Sequence, residues 1–112
     1  MSEAELTATK CDPVQSRCVS AAARILGAKW TTQIIYVLAN GVVRFSEIEK
    51  EITGINPRTL SARLDELEQE GIVTKINYNE VPPRIEYELT EKGKDLIPIL
   101  ETMADWGDKY WK

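Results

Sequence analysis

Apolar residues recur at helical spacing as far as Gly71, alternate from Ile72 to Leu89, and return to helical spacing after that. The clearest stretch runs from Ile48 to Gly71, IEKEITGINPRTLSARLDELEQEG. Leu60, Leu64 and Leu67 fall at i, i+4 and i+7 and make one apolar stripe. Asn56 is a good N-cap, because its side-chain oxygen can accept from the free N–H groups of a first turn. Pro57 suits the first helical position, where its missing N–H costs nothing. Gly71 suits the left-handed position that closes a helix. Away from the stripe, the N-terminal half carries Arg58, Thr59, Ser61, Ala62 and Arg63, and the C-terminal half carries Asp65, Glu66, Glu68 and Glu70. Cations and hydroxyls stand near the tip and acids stay back, as in a helix that docks its N-terminal end on an anion.

The rest of the chain assembles around that helix. Residues 1–10 read as a flexible arm and residues 11–112 as one domain. Asp12 and Pro13 predict a first helix from Pro13 to Leu26, ending at Gly27. Its face of Val14, Cys18, Ala21, Ala22 and Ile25 is weak for a core helix and suited to sharing with a second chain. Trp30, Ile34 and Leu38 predict a second helix to Ala39, ended by Asn40-Gly41. A short strand follows at residues 42–45. Ser46, with Glu49 three residues later, has the form of a capping box for a third helix that ends near Thr53-Gly54. After Gly71, Ile72, Thr74, Ile76 and Tyr78 alternate with Val73, Lys75, Asn77 and Asn79. Glu80-Val81-Pro82-Pro83 cannot continue a ladder. Ile85, Tyr87 and Leu89 then share a face, which predicts a hairpin with a proline-stiffened tip. Thr90 caps a last helix from Glu91 to Trp111, bent or broken by Pro98. The order predicts an α+β, mainly helical fold: a winged helix-turn-helix with a β-hairpin wing, whose second turn-unit helix enters a major groove.

Composition sets limits on this picture. The chain has 112 residues, 43% of them hydrophobic, enough for one domain with a real core. No run approaches the length of a membrane span, and MSEAELTATK lacks the apolar stretch of a signal peptide, so a cytoplasmic protein without membrane contact is expected. Two cysteines and no histidine argue against a metal site, and no cofactor is implied. With no histidine, no glycine-rich phosphate loop and no nucleophile beside a base, an enzyme is the poorest reading. The net charge of −4 runs against a nucleic-acid binder at first sight. Its distribution reverses that: residues 1–28 are neutral, residues 29–63 carry +2 and residues 64–112 carry −6. A local basic face survives an acidic remainder.

Particular residues carry the chemistry. Arg58, Thr59, Ser61, Ala62 and Arg63 are the major-groove candidates, since arginine can bond guanine O6 and N7 together and small hydroxyls reach bases or phosphates. The leucines beside Arg63 suit it to a phosphate clamp or an acid pair as well. Arg84 at the base of the Pro82-Pro83 tip can enter a minor groove or hold a phosphate; the competing reading is a surface pair with Glu80 or Glu86. Lys29, Arg44, Ser46 and Lys50 are candidate phosphate contacts, with Lys29 and Ser46 near helix N-termini. Cys11 stands just before a helix N-terminus that favours its thiolate, while Asp12 beside it opposes that; it is the redox-sensing candidate, the competing reading being an ordinary free thiol. Cys18 reads as a buried core thiol. A Cys11–Cys18 bridge is disfavoured, because seven residues of continuous helix span about 10 Å. Trp106, Tyr110 and Trp111 call for a cover: a dimer seam, a pocket between first and last helices, or the chain's own core.

Six segments in order resemble the HxlR-type transcriptional regulators, winged-helix proteins related to the MarR group: Cys11–Val14, Leu26–Thr31, Arg44–Ile48, Gly54–Leu60, Arg63–Glu68 and Val81–Thr90. The resemblance covers roughly residues 11–107. It implies a homodimer formed by the first and last helices and a pseudo-palindromic operator in double-stranded DNA. It further implies, for some members, an N-terminal cysteine that senses oxidants or electrophiles, with a small-molecule or oxidant effector. A role as repressor of an adjacent gene is the expectation, and a winged helix used for protein–protein contact is the competing function.

Overall fold

The structure is a computed structural model that describes residues 12, 14 and 17–111. The expected N-terminal arm, the helix start at Pro13, and Cys11 lie outside the described residues. The elements are α1 (Cys18–Leu26), α2 (Thr31–Val37), β1 (Val43–Arg44), α3 (Phe45–Glu51), α4 (Pro57–Gln69), β2 (Val73–Asn77), β3 (Ile85–Leu89), α5 (Glu91–Lys94) and α6 (Ile97–Tyr110).

Helix α4 forms where its local signals place it. Asn56 is extended and its Oδ1 accepts from the Thr59 N–H at 2.8 Å. Pro57 opens the helix. At the far end the Gly71 N–H donates to the Glu68 carbonyl at 3.0 Å and the Ile72 N–H to the Leu67 carbonyl at 2.8 Å. Gly71 has φ +77°, so this is a Schellman closure that needs a residue at ease in the left-handed region. Leu60, Leu64 and Leu67 are buried against Ile34, Ile35 and Leu38 of the α2 segment, Ile48 of α3, Tyr87 and Leu89 of β3, and Leu100 of α6. Each such side chain contributes roughly 1.5–3 kcal/mol by leaving water, so the stripe holds the helix rigidly to the body.

The three strands form an antiparallel sheet in the order β1-β3-β2. Val73 pairs with Leu89 and Asn77 with Ile85 across the hairpin, and Val43 and Arg44 pair with Tyr87 and Glu86. The long-range pairing of β1 shifts the start of α3. Arg44 is held extended by its partner strand and becomes the N-cap, without a side-chain cap bond, so α3 opens at Phe45. Ser46 therefore lies within the first turn, and the expected Ser46–Glu49 capping box is not made. Helix α3 also stops at Glu51, short of the expected Thr53-Gly54 end.

The expected last helix is two helices. Thr90 caps α5 by accepting from the Gly93 N–H at 3.1 Å, and its hydroxyl donates to the Gly71 carbonyl. A Cβ at Gly93 would collide with the Ile72 carbonyl oxygen, so only glycine lets α5 lie this close to the end of α4. The chain then breaks at residues 95–96, and Pro98 falls in the first turn of α6, where a proline is tolerated. The outer helices are poorly covered: α1 buries no residue and α6 buries only Leu100. Ile99, Met103, Trp106 and Tyr110, at i, i+4, i+7 and i+11, are all exposed.

Candidate nucleic-acid interface

The exposed side of α4 carries the predicted reader residues. Arg58, Ser61 and Ala62 are exposed and Thr59 is half-buried with its backbone N–H taken by Asn56. Arg58 enters no ion pair among the described residues. The acids Asp65, Glu66 and Glu68 follow on the same helix, also exposed. The tip therefore offers an unneutralised guanidinium and small hydroxyl-bearing side chains above a fixed leucine floor.

Arg63 is placed differently from Arg58. Its Nε donates to the Lys29 carbonyl at 3.0 Å and its Nη1 reaches Glu66 at 3.2 Å. The base-reading role expected of Arg63 thus competes with contacts that already engage its Nε and Nη1. The turn it grips is unusual: Trp30, the N-cap of α2, sits at φ +79°, a region a bulky residue seldom adopts. The Lys29 ammonium lies 5.0 Å from the centre of the Trp30 ring.

Arg44 and Ser46 come together with Pro83 and Ile85 of the wing root around an open cleft of about 240 Å³. Two candidates from the start of α3 are thus set beside the hairpin. Lys50, on the same helix, lies 3.7 Å from Glu47, an exposed pair worth little.

On the wing, Arg84 is half-exposed and already partnered. Its guanidinium stacks on Tyr78 at 3.9 Å, its Nη1 lies 3.7 Å from Glu80, and its Nε lies 3.3 Å from Glu86. The last is an ion-pair distance without a well-directed hydrogen bond. The Tyr78 hydroxyl in turn donates to Glu86 at 2.8 Å. The contact with Tyr78, followed by the charges of Glu86 and Glu80, raises the Arg84 pKa above its ordinary value. The surface-pair alternative is therefore the geometry present, and with both acids. Behind the wing, burial raises the Tyr87 phenol, with smaller contributions from Asp65 and Glu68 of α4.

The cysteine expectations need correction. Cys18 is half-buried and disulfide-bonded, and no described cysteine is a free thiol. The buried-thiol reading of Cys18 fails. So does the argument against a bridge: it assumed continuous helix from Pro13, whereas α1 begins at Cys18 itself. The chain's other cysteine, Cys11, lies outside the described residues.

A family model described as HxlR-like helix-turn-helix matches residues 25–112. The chain belongs to that family. An HTH-type transcriptional regulator of Methanothermobacter thermautotrophicus is 46% identical over 92 residues, 82% of this chain and 70% of that one. A MarR-family regulator structure from Porphyromonas gingivalis W83 superposes with a TM-score of 0.80 at 33% identity, covering 90% of this chain and 97% of that one. The reduced form of the transcriptional regulator YodB from B. subtilis gives 0.76 at 36% identity, covering 92% and 97%. The diamide-treated form of the same regulator gives 0.69 at 39% identity, covering 83% and 92%. This HxlR-like protein is a winged-helix transcriptional regulator of the MarR type, and such relatives are not enzymes.

Three features of this HxlR-like chain escaped the sequence reading. Arg24 of α1 pairs with Glu70 at the end of α4 at 3.3 Å, across 46 residues. The Lys92 ammonium donates to the Glu70 carbonyl at 2.6 Å. Tyr78 supplies the ring under Arg84. Only the last had a local signal, an aromatic and a cation flanking one hairpin tip. Among the described residues no helix is long and apolar enough to cross a membrane, and no group of three acidic or cysteine side chains could hold a metal ion.

Proposed function

We propose that the protein is a homodimeric repressor that binds a pseudo-palindromic operator in double-stranded DNA and acts by binding rather than catalysis. Helix α4 enters the major groove with Arg58, Thr59, Ser61 and Ala62 toward the bases, and the β2–β3 hairpin lies beside it as the wing. Lys29, Arg44, Ser46 and Lys50 are phosphate contacts. The observation that carries this reading is Arg58, exposed and without an ion-pair partner among the described residues, at the tip of a helix whose opposite face is buried leucine. The uncovered stripe of α6, with α1 equally bare, supports a seam between two copies and disfavours packing on the chain's own core. Trp106 and Tyr110, their tilted rings 5.5 Å apart, give that seam a large apolar surface.

The test is binding to the intergenic DNA beside the protein's own gene across a salt series. A specific reader shows operator preference and an affinity that falls steeply with salt. The acidic total, −4, favours a second reading as a protein-interaction winged helix. That reading requires equal, weak binding to all DNA.

The relative YodB is described in a reduced and a diamide-treated form. Together with the disulfide at Cys18, this supports control by an oxidant through Cys11. Cys11→Ser is expected to leave operator binding intact and to abolish its loss under diamide. A variant that still releases DNA under diamide would remove Cys11 from the mechanism.

A further inference from the structure

Arg63 sits among the reader residues in sequence and apart from them in space. Its side chain is 26% exposed, and its Nε and Nη1 are engaged by the Lys29 carbonyl and by Glu66. The Lys29 carbonyl is the last acceptor before Trp30, whose backbone is held at φ +79°. A bulky residue stays in that region only when its surroundings over-determine it. Two contacts visibly do so: the Arg63 hydrogen bond on the preceding carbonyl, and the packing of the Trp30 side chain against the hydrophobic core. The side chain on the gripped residue is that of Lys29, an exposed cation at the start of α2.

We propose that Arg63 is a positioning residue: it locks the Lys29–Trp30 turn to the recognition helix and so presents the Lys29 ammonium to the DNA backbone, without touching DNA itself. The proposal rests on the DNA-binding reading above for its second half only. A lysine at position 63 could supply charge to a phosphate, but its single ammonium cannot reproduce the planar fork that reaches a carbonyl and a carboxylate together.

The experiment uses the full chain labelled with 5-fluorotryptophan, its three resonances assigned by replacing each tryptophan singly. In DNA-free protein, Arg63→Ala and the milder Arg63→Lys are expected to displace the Trp30 resonance and leave those of Trp106 and Trp111 in place. Arg58→Ala is expected to move none of them. In operator binding, Arg63→Ala is expected to weaken affinity in the wild-type background. In the Lys29→Ala background it should change affinity by no more than about twofold, because residues that act through one another are not additive. An unmoved Trp30 resonance in Arg63→Ala overturns the lock. Additive losses, or full recovery of affinity by Arg63→Lys, overturn the presentation of Lys29 and make Arg63 a direct contact. Failure of the wild-type protein to bind any DNA sinks the proposed function and the Lys29 half with it, while the Trp30 resonance still decides the lock.

Discussion

The recognition helix and the wing each bring an arginine to the surface on which DNA is proposed to lie, and the two arginines are not equivalent. Arg58 has no acidic partner among the described residues. Arg84 is stacked on Tyr78 and flanked by Glu80 and Glu86. The difference follows from the elements that carry them. On a helix, neighbours on one face come three and four residues apart, and the residues at those distances after Arg58 are Ser61 and Ala62. On a tight hairpin, the residues just before the tip fold back onto those just after it, so Tyr78 and Glu80 are delivered to Arg84 by the turn itself. The helix tip is left free to exchange its water for a base or a phosphate, whereas the wing must first give up contacts it already has.

Substitutions separate the two regions, and the largest effect belongs to neither arginine. Leu64 is 0% exposed beneath α4, and Leu64→Ala is expected to cost about 2–5 kcal/mol in denaturant unfolding. An unchanged midpoint would mean that the leucine stripe does not anchor the helix. Arg58→Ala is next: a loss of about 1–3 kcal/mol in discrimination between operator and unrelated DNA is expected if it reads a base, with no change in stability. Equal loss on all sequences would reassign it to phosphate. Arg84→Ala is expected to be the smallest, a loss of affinity on all sequences below that of Arg58→Ala, because the cation removed is one already paired with Glu80 and Glu86. A loss as large as that of Arg58→Ala would show that the wing releases Arg84 on DNA and would erase the contrast.

What was legible in the sequence was local. Asn56, Pro57 and Gly71 each satisfy or avoid a backbone group within a turn of themselves, and the leucine stripe needs only the helical period. The winged order of elements follows from such signals in series. What was not legible depends on partners far along the chain. Ser46 lost its capping role because Arg44 pairs with Glu86. Arg63 was drawn from the reader set toward a carbonyl 34 residues away. Trp30 gives no sign of its left-handed backbone, since nothing in residue type favours it there. Pro98 predicted a bend or break within one helix, and the break falls before it, where α5 packs through Gly93 onto Ile72. The Cys18 bond was missed because the geometry used against it belonged to a helix that begins at Cys18 instead of before it.

The bare stripe of Ile99, Met103, Trp106 and Tyr110 has a consequence for how the molecule's durability is to be measured. In a homodimer sealed by these side chains, part of the folding free energy is held between molecules, and mass action governs it. The melting temperature is then a property of the solution: it rises with protein concentration and falls on dilution. For such a dimer, part of the fold's resistance to unfolding is set by how many copies the cell keeps.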